Sequence, residues 1–150
     1  IMGPHLAVNA AAALAIRIAS GQRCPQWLLA GFCSYCENFV MKKNHVSAAN
    51  YQINDQPIGP DWATEVKRVA AARAFKPWEK MLDRELREFE GPDHIQAFAM
   101  ASYLFQSEPQ KFLDLLELFA TGGETTASIE KAYGATIAEI EKDWARWCLR

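Results

Sequence analysis

Apolar positions recur at three- and four-residue spacing along most of this chain, the period of helices that bury one face. Residues 5–20, HLAVNAAAALAIRIAS, are rich in alanine and leucine, and Gly21 stands where a helix-ending glycine belongs. Pro25 opens a second helix over 25–41, with Trp27, Leu28, Phe32, Tyr35 and Phe39 in the helical repeat. The period is lost over 44–60, NHVSAANYQINDQPIGP, where Asn, Asp, Pro and Gly cluster; this predicts a loop, with VSAANYQI as the one strand candidate. Asp61 is placed to cap a third helix from Trp62, with Glu65 in its first turn. Pro77 suits the start of a fourth, running to Glu90 and ended by Gly91-Pro92. Asp93 and Gln96 have capping-box spacing for a fifth. Ser107-Glu108-Pro109 restarts the chain into FLDLLELF, Thr121-Gly122-Gly123 closes that helix, and a short helix runs to Tyr133 before Gly134. Thr136 and Glu139 form another capping box, for a last helix whose Ile137, Ile140, Trp144, Trp147 and Cys148 share a face. These segments predict an all-α fold, an irregular bundle of about seven helices in one domain over 1–150.

Composition narrows the partners. Half of the 150 residues are hydrophobic and 23% are charged, ordinary for a folded domain, and this length suffices to bury a core. The net charge of −2 argues against nucleic acid or an anionic membrane surface as the main partner, since both select basic patches. The longest apolar run, Ala10–Ala19, is broken by Arg17 and is far short of the roughly 20 residues that span a bilayer. The chain opens Ile-Met-Gly-Pro and passes straight into a helical pattern, so a fragment of a longer chain is expected. The sequence indicates no compartment.

Four cysteines, at 24, 33, 36 and 148, do not make a disulfide scaffold at this length. Cys33 and Cys36 form C-x-x-C, read first as two buried helix residues one turn apart. A redox pair or half a metal site is the alternative. A thioredoxin-like site would want a preceding strand, and a zinc knuckle a second close pair; neither is in the pattern.

Two separated stretches carry a resemblance. The first is the alanine-rich helix followed by PQWLLAGFCSYCE, in which Pro25, Trp27, Leu28, Gly31, Tyr35 and Glu37 match P-x-W-L-x-E-G-x-x-x-Y-x-E. The second is the C-terminal run, in which Gly134, Ile137, Ile140, Glu141 and Trp144 match the closing helix of the same group. Together they resemble the C-terminal helical half of gluzincin metallopeptidases of the peptidase-MA-like kind. The middle, 44–90, matches in helical character alone.

That resemblance implies a zinc site built from H-E-x-x-H on the first helix and a glutamate on the second, with the motif glutamate as general base for zinc-bound water. On that template His5 takes the first histidine position, Leu6 the base, Asn9 the second histidine and Ala30 the third ligand. Leucine accepts no proton and alanine offers no lone pair, so the resemblance implies a degenerate site and no catalytic residue. No cofactor is expected. Residues from which a substitute metal site would have to come are His5, Cys33, Cys36, His45 and His94, with His5, Cys33 and His94 the conceivable cluster.

The remaining residues have plain readings. Glu37 is expected in a surface pair or a cap, His45 in a solvated loop, and His94 beside a helix start, where a charged imidazole is mildly unfavourable. Tyr35 and Tyr103 read as partly buried rings with a polar tip. Trp62 and Trp78 follow loops, so one of them is a candidate contact surface. The expected function is a catalytically inactive, peptidase-like module with a structural, assembly or protein-binding role. It would act on a partner protein or on a missing N-terminal portion of its own chain. The alternatives are a zinc-dependent hydrolase with substituted ligands and an unrelated helical interaction domain.

Overall fold

The computed structural model describes residues 4–42, 44 and 61–150. Among them the chain forms α1 (Pro4–Ala19), α2 (Gln26–Met41), α3 (Trp62–Ala71), α4 (Glu79–Leu82), a 3-10 turn (Leu86–Glu88), α5 (Gly91–Ser107), α6 (Pro109–Ala120), α7 (Thr125–Tyr133) and α8 (Ile137–Trp147). The expected all-α bundle is found. The loop and the strand candidate over 44–60 lie outside the described residues, apart from Asn44.

The bundle is organised around α5. Residues 96–102 and Leu104 are all buried, so this helix has no solvent face over two turns and must sit inside. Its Ala97, Ala99 and Ala101 keep the surface low and let neighbours come close. α2 exploits this at Gly31, where a Cβ would stand 2.1 Å from the Ala97 carbonyl oxygen. α1 packs along α2, α3 and α8 against α5, and α7 joins α6 to α8.

Aromatic rings fill the space between helices. Trp78 lies between Trp27 and Trp144, at 6.4 and 5.6 Å, and Phe32 meets Phe105 and Phe112 at 5.5 and 5.3 Å. Trp62 meets Phe98 edge-on at 5.6 Å. Both Trp62 and Trp78 are buried, so neither is the exposed contact anticipated from its place after a loop. Each ring has more apolar area to bury than a loop-adjacent position suggests.

Several helix boundaries follow the sequence signals. Gly134 ends α7 at φ 69°, a conformation in which a side chain would be strained. Thr136 and Glu139 close the expected reciprocal box on α8. Others do not. The helix expected from Pro77 to Glu90 is one turn of α4 and a separate 3-10 turn, because tertiary partners claim its polar groups. Just before it, Gln96 clamps Lys76 through both main-chain groups, at 3.0 and 2.6 Å, and within it Arg84 donates to Asp93 and to the Glu88 carbonyl. Gln26 accepts from the Leu86 amide at 2.7 Å. The start of α5 shifts for the same reason. Glu90 is its N-cap and Asp93 the third helical residue of the box, while Gln96 is occupied by Lys76. Asp61 stands at the N-cap position of α3, but its carboxylate accepts from Asn38 and makes no cap bond. Asn38 also donates to Asn44 at 2.7 Å, which ties both residues to the end of α2.

Candidate functional site

α1 and α2 form a helical hairpin joined by the short turn Ser20 to Pro25. The Asn9 amide nitrogen donates to Glu37 Oε2 at 3.3 Å, and the Cys33 thiol to the Asn9 carbonyl at 3.5 Å. Beside this hairpin lies a cavity of about 510 Å³. α1 contributes Asn9 and Arg17, the turn Cys24, α2 Gln26, Ala30 and Cys33, and α5 His94, with Trp62 and Leu86 also in the wall.

The cavity gathers part of the anticipated set. Asn9, Ala30, Cys33 and His94 all line it. His5 is half-buried in the first turn of α1 and does not, and Leu6 is exposed. Of the conceivable cluster His5, Cys33 and His94, the last two share the cavity and the first is apart from it. Cys36 is half-buried on α2 outside the lining, so the C-x-x-C pair is split, one thiol at the cavity and one away from it. His45 lies outside the described residues. Tyr35 and Tyr103 are partly buried, as expected.

Protonation states follow from burial. Burial, with Cys33 nearby, pushes the Cys24 thiol up to about 12. Burial and Cys36 push Cys33 up to about 11. Both are thiols at neutral pH, poor nucleophiles and poor metal ligands without the cost of losing a proton. Burial lowers His94 below the ordinary histidine value against the opposing pull of Asp93. Its imidazole is therefore neutral at pH 7, with the Phe89 ring edge-on at 5.3 Å. Cys24, Cys33 and His94 are the cavity side chains of metal-ligating type. Among the described residues no three of His, Cys, Asp or Glu converge as a metal site would require.

Glu37 departs from expectation. It is 1% exposed and turned inward against Asn9, not in a surface pair. The signal was present in the spacing, since 30, 33 and 37 fall on one helical face. The Asn9 Oδ1 atom is buried with no hydrogen-bond partner among the described residues. Arg17, Cys24 and Gln26 were not anticipated at the cavity, because their places depend on how the turn between α1 and α2 closes.

No protein-family model, curated protein or solved structure matches this chain.

Proposed function

We propose that the chain is a non-catalytic module of gluzincin-like form, retained for its scaffold and used in binding or assembly. One observation carries the reading. Asn9 and Ala30, where the resemblance asks for a histidine and a glutamate ligand, line one cavity on adjacent helices. The hairpin that such a site needs is present, and its donors are not. An asparagine amide is a weak ligand, alanine is none, and Leu6 in the base position cannot move a proton. The carboxylate on that face of α2, Glu37, is buried against Asn9. What remains is the packing that chemistry does not require.

The competing reading is a hydrolase with substituted ligands, and the shared cavity of Cys33 and His94 favours it. Elemental mass spectrometry of the chain purified without chelator, paired with a peptide-library cleavage assay, separates the two. The module predicts zinc far below one per chain and no cleavage. Stoichiometric zinc that is lost in Cys33→Ala or His94→Ala would overturn it.

A further inference from the structure

We propose that a groove between the C-terminal ends of α2 and α8 docks a partner protein segment with an apolar face flanked by carboxylates. This inference goes beyond the reading above and does not depend on whether the α1–α2 cavity ever held a metal.

The groove has a volume of about 340 Å³ and runs over α2, α3, α5 and the end of α8. Its floor is apolar: Val66 and Phe98 are buried beneath it, and Trp147 forms a half-buried wall. Phe39 stands over it 65% exposed, a costly position for a phenyl ring, although Tyr35 stacks on one side of it at 6.3 Å. The rim is cationic. Lys42 lies 5.0 Å from the Phe39 ring centre, and Lys67 donates to the Arg150 carbonyl at 3.1 Å. With Arg150 these give three cationic side chains and no acidic one among the lining residues. None of the three enters an ion pair among the described residues.

The chain as a whole is net −2, so this groove inverts the prevailing charge. Apolar floor plus unneutralised cations is the complement of an acidic amphipathic segment. A concave site with its apolar atoms recessed suits an inserted side chain better than a bilayer, which takes protruding apolar groups. The chain's net negative charge also disfavours an anionic lipid surface.

A phage-displayed library of random peptides about twelve residues long tests this, that length being enough to span such a groove. Selected peptides are then titrated into ¹⁵N-labelled chain. Binders are expected to pair aromatic or leucine anchors with aspartate and glutamate, and to shift the amides of Phe39, Lys67 and Trp147. Their affinity should fall with added salt. It should fall roughly tenfold or more in Phe39→Ala and in Lys42→Glu combined with Lys67→Glu. All of these sites are on the surface, and a thermal melt checks that each variant is folded. The proposal is overturned if no peptide is selected, if binders are neutral or basic, if shifts map to the α1–α2 cavity, or if the charge-reversed variant binds unchanged. It is also overturned if Phe39→Asp dissolves a dimer seen by sedimentation, which makes a second copy the occupant. Phe39-dependent binding to phosphatidylserine vesicles would likewise replace it with a membrane contact.

Discussion

Replacing Gly31 by alanine probes the contact that sets the whole arrangement. A Cβ at this position would lie 2.1 Å from the Ala97 carbonyl oxygen and 2.6 Å from its carbon, against 3.4–4 Å for ordinary contact. The obstacle is backbone inside the central helix, so it cannot rotate away. α2 and α5 must part by about 1 Å or more, which by itself forfeits a quarter to a half of the dispersion energy of the atoms facing each other. Overpacking of a core costs about 1–3 kcal/mol, and a backbone obstacle places this case at the upper end or beyond. Alanine regains about 1 kcal/mol over glycine from helix propensity. The net expectation is a loss of about 2 kcal/mol, which lowers the melting temperature by roughly 4–8 °C for a domain of this size. Gly91 supplies the control. It opens α5, and a Cβ there meets nothing within 4 Å, so Gly91→Ala should be neutral or mildly stabilising. Thermal melts by circular dichroism read both. A Gly31→Ala chain that melts at or above the parent temperature would refute the close α2–α5 approach. The cavity's geometry would go with it, since Ala30 and Cys33 ride on α2 and His94 on α5.

Other outcomes follow from single groups. Asp93 is 1% exposed and accepts from Lys76 and Arg84, both at 2.6 Å, as well as from the Glu90 amide. Asp93→Ala should cost about 1–2 kcal/mol, by opening the α5 cap and removing the buried acceptor of two cations that stay partly in water. Burial pushes the Asp93 carboxyl up, but the Glu90 amide, Lys76 and Arg84 outweigh it and hold it below the usual range. Its stabilisation is therefore complete above the unfolded value near pH ~3.9 and lost as pH falls through the folded one. Urea melts should show the gap between parent and variant closing in acid; a constant gap would contradict this. Thiol titration with a disulfide reagent at pH 8 should be slow in the folded chain and reach all four cysteines in urea. At that pH the Cys24, Cys33 and Cys148 thiolates amount to about one in a thousand or less. Rapid native labelling of Cys33 would refute the raised thiol there. Asn9→Asp removes the amide donor and sets a second carboxylate against the buried Glu37, and should destabilise by about 2 kcal/mol at neutral pH. A melt of this variant unchanged from the parent at neutral pH would remove the Asn9–Glu37 contact.

The difference between what was legible and what was not lies in the range of the interactions. The helices were readable wherever the signal is local. The period of α6 and α8, the glycine after α7 and the Thr136–Glu139 box each need information from a few neighbouring residues only. Part of the cavity was readable too, because Ala30 and Cys33 fall on one face of α2 and the chain must turn back between α1 and α2. The stretch 77–90 was misread because its fate depends on Gln26, sixty positions away, which takes the Leu86 amide, and on the buried Asp93, which holds Arg84. Glu37 was misplaced because a charge is assigned to the surface by default, and the Asn9 donor that receives it lies twenty-eight positions away.

The sequence by itself determined that this chain is helical, where most helices begin and end, and which faces are apolar, since those properties follow from spacing and caps within a few residues. Only the tertiary structure decided that α5 is enclosed, that Gly31 lets α2 reach it, that Trp62 and Trp78 are core, and that Cys33 and His94 line one cavity that His5 does not. Those outcomes depend on which apolar faces find one another and at what distance. Close packing resolves that choice to fractions of an ångström, and no local pattern encodes it.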